Sequence, residues 1–443
     1  MRRHLKSFVI SGIVVIGGLA SMLMGIILAL QSPPQFQNAF VRITVYVLIA
    51  FLGVLVFRYI TLLWLGYLQF IEDVADEGKG DQLDDDFLPP ISIIVPAYNE
   101  EPMIQSVIRS LLRLDYPRYE ILIVDDGSTD ATFQRAAELE GTVGGATVRV
   151  VSKSNGGKAT ALNTGLSLAR HPFVLCMDAD SKLEPQTLRR AIRHFRDPRV
   201  AAVAGNVKVA NRRNLWTRFQ ALEYIEGLNM PRRAQGFIRA VNIIPGPCGL
   251  FRRDVLIKLG GYDTDTFAED ADLTLKLLRE GWRIEYEDLA IAWTEAPETL
   301  RNLLKQRYRW TRGILQAVAK RADILWHPRR SPTIWASVTQ LLFEGVVWPF
   351  MNVFGHLFFA MVALAFGAGP YLVSWWLLLT LLDLAAAFYT VVIEEEDLSL
   401  VPLAIAYRFV FILIIDVAKL FATLEQVFDV KMSWGKVERL GRI

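Results

Sequence analysis

The chain has 443 residues, 52% hydrophobic and only 21% charged, with a positive mean hydropathy. That balance excludes an ordinary soluble protein and indicates a membrane protein. Its 48 Lys and Arg against 46 Asp and Glu leave a net charge of +2, without the basic excess that nucleic-acid binding requires. Two cysteines, Cys176 and Cys248, and five scattered histidines exclude a disulfide scaffold, a cysteine-ligated zinc site and the usual paired-histidine sites on helices. Any metal site would be built from oxygen ligands.

Arg2, Arg3 and Lys6 precede an uncharged run, Phe8–Leu30. At about 1.5 Å per residue it is long enough to cross a bilayer core of roughly 30 Å. It exceeds the roughly 7–15 apolar residues of a signal peptide, so a retained span is expected. A second run, Phe40–Phe70, has Arg58 as its interior charge and returns the chain to the cytoplasm. Residues 1–72 are therefore expected to form two transmembrane helices, and 73–89 an acidic linker containing GKGDQLDDD. Residues 90–330 have ordinary globular chemistry and are expected to end in amphipathic interfacial helices. Residues 331–443 bring back three apolar runs, Ile334–Phe366, Tyr371–Ile393 and Leu398–Leu424, then a short tail carrying Lys431, Lys436, Arg439 and Arg442. That tail favours a cytoplasmic end. Two early and three late crossings would put it outside, so one late segment, Ile334–Phe354, is expected to lie at the interface or re-enter. Counts of four, five or six spans remain open.

Within the globular block, the short apolar runs 91–95, 121–125, 148–152 and 173–177 alternate with helical patterns at 101–112, 130–140 and 159–169. Such βα repeats predict an α/β, Rossmann-like, mostly parallel sheet with ligands at the carboxyl ends of its strands. Asp125-Asp126 closes the second strand and Asp178-Ala179-Asp180 the fourth, both at ligand-binding ends. No GxGxxG follows the first strand, so a dinucleotide oxidoreductase is excluded. In SNGGKAT (154–160), Lys158 at a glycine-rich turn opening a helix suits an anion; a plain helix start after a flexible turn is equally compatible. An Asp-x-Asp at a strand end can hold a hard divalent cation on phosphate oxygens.

Seven ordered motifs carry a resemblance: VPAYNEE (95–101), VDDGSTD (124–130), NGGKATALN (155–163), DADS (178–181), GPCGLFRR (246–253), FAEDADLTLKL (267–277) and QRYRW (306–310). Together they resemble the processive, membrane-embedded glycosyltransferases of family two, which include cellulose, hyaluronan and chitin-oligosaccharide synthases. The wording from Gly246 to Gln316, with AWTEAPETL (292–300), is most similar to the bacterial poly-β-1,6-N-acetylglucosamine synthase group. The resemblance implies a GT-A fold in a cytoplasmic catalytic domain, combined with α-helical transmembrane segments, in the bacterial inner membrane. It implies a hexosyltransferase that polymerises a UDP-sugar, UDP-N-acetylglucosamine foremost, into a β-linked exopolysaccharide and translocates it, with Mg²⁺ or Mn²⁺ as cofactor. Asp125, Tyr98 and Glu100 would form the uridine pocket, Lys158 and Asp178 would contact nucleotide or donor, and Asp180 would bind the metal. Asp270 would be the general base. Gln306, Arg309 and Trp310 would gate acceptor and diphosphate, with Pro247, Cys248, Gly249 and Glu269 at the acceptor. Ala268 departs from the Thr that cellulose synthases carry there. Partners implied are the growing polysaccharide, the lipid bilayer and a small regulatory membrane subunit, through which any cyclic-dinucleotide control would act.

Several residues carry a second reading. Glu269 and Asp270 could simply cap the following helix, although adjacency or burial would raise one pKa toward working pH. Cys248 reads as a small structural residue rather than a nucleophile. Arg309 is expected to face the site, with Arg301, Lys305, Arg307 and Arg312 toward lipid headgroups. Trp310 could stack on a sugar or merely pack. Asp383, Arg408, Asp416 and Lys419 could border a polymer tunnel or pair among themselves. Two rival functions stay open: a non-processive transferase adding one sugar, and a non-catalytic sugar-nucleotide sensor or structural subunit. A different UDP-sugar, as in hyaluronan, chitin or glucan synthesis, is also compatible.

Overall fold

The computed structural model describes residues 39–77, 86–366 and 369–430. The expected span Phe8–Leu30, most of the acidic linker and the basic tail lie outside these residues.

The globular part is built on a nine-stranded sheet: β1 (Ile91–Ala97), β2 (Tyr119–Asp125), β3 (Gly141–Val143), β4 (Ala146–Ser152), β5 (Phe173–Cys176), β6 (Ser181–Leu183), β7 (Val200–Val209), β8 (Gly249–Arg252) and β9 (Arg283–Thr294). Their order is β3-β4-β2-β1-β5-β8-β7-β9-β6. The four apolar runs of the sequence are β1, β2, β4 and β5, all mutually parallel. Ile93, Ile94, Ile121 and Leu122 are fully buried, as strands covered on both faces require.

Past β5 the sheet becomes mixed. β8 is antiparallel to both β5 and β7, β7 is parallel to β9, and β9 is antiparallel to β6. The alternation of short runs and helices predicted the parallel half. It held no signal for the rest, because these pairings join segments up to about a hundred residues apart. The β5–β8 pair matters most for function. Gly249 lies opposite Cys176, so the 246–249 loop is delivered to the same sheet end as the 178–180 turn.

Helix α1 (Ala39–Glu77) matches the second apolar run. In the globular part, α2 (Ile104–Leu111), α3 (Thr132–Ala137) and α4 (Lys158–Leu168) follow β1, β2 and β4. Next come α5 (Leu215–Glu223), a wide turn at 224–229, and α6 (Met230–Phe237). α6 lies so close to α1 that a Cβ on Gly66 would sit 2.4 Å from Met230 Cε. Then follow α7 (Glu269–Arg279), α8 (Leu300–Lys320), α9 (Pro332–Leu342), α10 (Trp348–Phe366), α11 (Gly369–Ile393) and α12 (Leu413–Val427).

Among the described residues four stretches are long and apolar enough to cross a membrane: Gly53–Glu72, Pro332–Ala365, Trp376–Ile393 and Leu398–Val427. Two of them are seated on the globular part. The Ser337 hydroxyl of α9 donates to the Ala240 carbonyl at 2.6 Å, and Asn242 donates to the Ser337 carbonyl at 2.9 Å. The last stretch touches the globular part at both ends. Arg218 donates to the Ser399 carbonyl at 2.9 Å, and Arg312 donates to Gln426 at 2.9 Å. The turn after α11 is clamped too: Glu394 accepts from Arg233 and Asn206, and Glu396 from Arg212.

Candidate active site

Asp125 ends β2 and is 2% exposed. Its Oδ2 accepts a hydrogen bond from the Ser152 hydroxyl at 2.9 Å, and its Oδ1 one from the Ser128 N–H at 3.4 Å. Ala97, the last residue of β1, is paired with Asp125. Tyr98 and Glu100 follow directly, Tyr98 exposed and Glu100 buried with its N–H donating to the Thr132 hydroxyl at 2.8 Å. The expected uridine pocket residues thus share one edge of the sheet.

Asp126, placed by the sequence at the same strand end, has a role of its own that the sequence left unassigned. Its carboxylate accepts the N–H groups of Gly156 and Gly157 at 3.1 and 2.7 Å, and Lys153 Nζ at 2.6 Å. Gly157 adopts φ +88°, open to glycine at little cost. Asp126 therefore folds the 153–157 turn and sets where Lys158, the first residue of α4, emerges.

Lys158 gathers three distant stretches. Its Nζ lies 2.6 Å from Asp178 Oδ1 and 2.6 Å from Glu269 Oε1. Burial works against its charge, but Asp178 and Glu269 outweigh it and hold the ammonium above the ordinary lysine range. The 246–249 loop closes over this pair: a Cβ on Gly246 would come 2.9 Å from Asp178 Oδ2 and 3.2 Å from Lys158 Nζ. Asp180, two residues on, is 1% exposed and accepts the Ser181 hydroxyl at 3.2 Å. Because β2 and β5 flank β1, the Asp125 end and the 178–180 turn lie about 10 Å apart.

Asp270 sits beside Glu269 in the first turn of α7 and accepts the Ala271 N–H at 2.8 Å. Burial first, and then the Glu269 charge, push its carboxyl up to about 6, with Lys158 pulling the other way. The raised pKa expected of one member of this pair falls on Asp270. The carbonyl of Asp270 also accepts the Thr274 hydroxyl, which in turn receives the Ile244 N–H at 3.0 Å. This ties the start of α7 to the loop over Lys158.

Two expectations need correction. Cys248 cannot offer its side chain to an acceptor. It is 1% exposed, and a Cβ on Gly205 would lie 2.4 Å from its Sγ, so the thiol fills the sheet core. Pro247 is partly exposed and Gly249 opens β8, leaving the loop backbone to face the site. The basic residues of α8 also differ. Arg307 and Arg312 do not face headgroups; they are 2% and 3% exposed. Arg307 pairs with Glu223 of α5, donates to Gln306 and lies 4.2 Å over the Trp310 ring. Arg312 is held by Gln426 and the Val430 carbonyl. α8 is enclosed by α5 on one side and α12 on another, so its basic stripe is turned inward. Arg301 and Lys305 are exposed, and Arg309 is partly buried.

A second acidic group, Asp263, Asp265 and Asp272, brings ligand-type oxygens within 4.8 Å of one another. Lys320 reaches all three, at 2.6, 2.5 and 3.2 Å, with Arg321 and Lys276 adding to Asp263. Filled by cations, it is an ion-pair network that locks the end of α8 to α7. Asp180, the carboxylate expected to hold a metal, lies two residues from Asp178, which Lys158 already engages.

A cavity of about 230 Å³ lies beside the site. It is lined by Arg232, Ile243 and Trp310 together with residues of α1, α11 and the last apolar stretch. Asp383, Arg408, Asp416 and Lys419 all line it. They are also paired: Arg408 binds Asp383, Tyr59 donates to Asp383 at 3.2 Å, Asn352 donates to Asp416 at 2.8 Å, and Lys419 lies 3.7 Å from Asp416. Deeper in the same wall Arg58 forms a bidentate pair with Glu344 at 2.6 and 2.9 Å.

A nucleotide-binding half-sheet, two acidic strand ends and a carboxylate–lysine cluster under a closing loop define a GT-A glycosyltransferase. Residues 89–313 match the model of the glycosyltransferase-like family 2, and the chain belongs to that family. The poly-beta-1,6-N-acetyl-D-glucosamine synthase of Staphylococcus aureus (strain COL) is 34% identical over 249 residues, 56% of this chain and 60% of that relative. The synthase of the same name from Staphylococcus epidermidis is 35% identical over 224 residues, 50% of this chain and 54% of its own. The chain thus spans under two thirds of the length of these relatives. A mannosyltransferase from Pyrobaculum calidifontis, solved with GDP-mannose and Mn²⁺, shares the fold with a TM-score of 0.53 at 23% identity, covering 84% of this chain and 99% of its own.

Proposed function

We propose that this glycosyltransferase is an inverting, processive hexosyltransferase. It polymerises UDP-N-acetylglucosamine into a β-linked polysaccharide and passes the product along the membrane-side cavity. The observation that carries this reading is the Lys158–Asp178–Glu269–Asp270 cluster, set next to a cavity that Trp310 helps to line. The sequence likeness to two N-acetylglucosamine polymer synthases supports the choice of donor.

Asp125, Glu100 and Tyr98 bind the uridine. Lys158 lies where the diphosphate and donor sugar meet the site, a compact point charge for phosphate oxygens. Asp178 and Asp180 offer the hard oxygen donors that fit Mg²⁺ or Mn²⁺, and such an ion would offset charge on the departing diphosphate. Asp270 takes the proton from the acceptor hydroxyl. The hydroxyl oxygen then bonds to C1 from the face opposite UDP, the C1–O bond to the diphosphate breaks, and UDP leaves with the electron pair. Configuration inverts, so an α-linked donor yields a β-glycoside. A base with a pKa near 6 is ionised at neutral pH yet still a competent proton acceptor. Trp310, held flat by the Arg307 guanidinium, supplies the face on which an acceptor sugar stacks.

The test is a donor screen on the full chain in nanodiscs, reading UDP release and product length. UDP release with UDP-N-acetylglucosamine and a ladder of long products is expected. No release from any common UDP-sugar, with Mg²⁺ or Mn²⁺ and acceptor present, would overturn the reading.

A further inference from the structure

One acidic side chain in the cavity is left over when its charges are paired. Arg58 is taken by Glu344, Arg408 by Asp383, and Arg307 by Glu223. Arg232 donates to the Asn229 side chain and the Ile243 carbonyl. Glu226, in the wide turn between α5 and α6, lines the same wall. Among the described residues it has no hydrogen-bond partner, and its Oε1 is fully buried. Tyr59 and Tyr407 lie within electrostatic reach of it. A buried carboxyl oxygen without a donor is a cost that native interiors rarely carry without a use.

We propose that Glu226 is a sugar-binding residue of the cavity, hydrogen-bonding hydroxyl or amide N–H groups of the glycan unit that has just left the catalytic site. This rests on the reading of the cavity as the product's path and adds to it a specific contact. Three observations favour a neutral glycan as the occupant. Arg58, Arg408 and Arg307 are already paired with carboxylates, and Arg232 is held by the Asn229 side chain and the Ile243 carbonyl, so little positive charge is left to draw an anion. Tyr59 and Tyr407 line the same cavity within electrostatic reach of the carboxyl, offering polar hydroxyls on apolar rings of the kind that suit a sugar. Burial, and next the Asp383 charge, also hold the Glu226 carboxyl well above its ordinary range, with Arg408 and Arg58 opposing. A protonated carboxyl both donates and accepts, which matches a hydroxyl.

The site is tested with Glu226→Gln and Glu226→Leu in the full chain in nanodiscs. Binding of a β-1,6-linked N-acetylglucosamine hexasaccharide is measured on an Asp270→Asn background, alongside product length with Asp270 intact. Gln retains both a donor and an acceptor and should bind and elongate like the wild type. Leu should bind the hexasaccharide about tenfold more weakly and make shorter products, with donor KM unchanged. The Leu variant should also melt at or above the wild-type temperature, because it removes an unsatisfied polar group; a structural role would lower it. Wild-type binding and product length in the Leu variant would overturn the proposal and leave the cavity reading standing. A wild type that adds one sugar only and binds no hexasaccharide would sink both.

Discussion

Asp270 is where environment most visibly sets chemistry. Its carboxyl is pushed up to about 6 by burial and by Glu269, so the proposed base loses its proton as pH rises through about 6. kcat/KM should therefore fall on the acid side with a midpoint near 6. Asp270→Asn should lose about 10²–10⁴-fold in turnover while still binding UDP. A midpoint that survives in a low-activity Asp270→Asn enzyme would assign it to another group. The same shift has a sign for stability. A carboxyl whose folded pKa is raised disfavours folding once ionised, a penalty complete above about 6 and relieved as pH falls toward 4. Asp270→Asn should melt higher than the wild type at pH 7.5, and the gap should narrow at pH 5. Asp126 acts through its neighbours instead. Asp126→Ala frees the Gly156 and Gly157 N–H groups, and we expect a higher donor KM with a smaller change in kcat, checked by steady-state kinetics.

At the scale of elements, α8 is pinned at three places: by Arg307 to α5, by Arg312 to the end of α12, and by Lys320 to α7. The helix bearing Gln306, Arg309 and Trp310 is therefore rigidly tied to the helix bearing the proposed base. Arg307→Met leaves Glu223 buried without its cation and should cost about 3 kcal/mol. Most of that should return in Arg307→Met/Glu223→Gln, a cycle readable by thermal melting. These pairs also mark where reading the chain falls short. β1, β2, β4 and β5 are legible because each is a short apolar run between polar turns. Arg307 and Arg312 look like the polar stripe of a surface helix, since their partners lie 84 and 114 residues away. Motif residues such as Lys158, Asp178 and Asp270 stand out by type and order. The role of Asp126 does not, because it grips backbone, and Glu226 does not at all, because it is defined by lacking a partner.

For the whole molecule, the main consequence concerns sidedness. The turn after α11 and both ends of the last apolar stretch bind the globular part, so all should face the same side as the catalytic domain. Cysteines at Leu398 and Phe428, both exposed, should react with an impermeant maleimide only when that side is open. The native Cys176 and Cys248 are buried and will give little background. Protection of either engineered position from that side would mean the stretch crosses the bilayer. The paired charges along the cavity wall have a further effect. Arg58 with Glu344 and Arg408 with Asp383 cancel almost locally, so a solute sliding past meets closely spaced dipoles rather than isolated ions. On the proposed reading, such a wall would wet a hydroxyl-rich strand without a deep electrostatic well to arrest it.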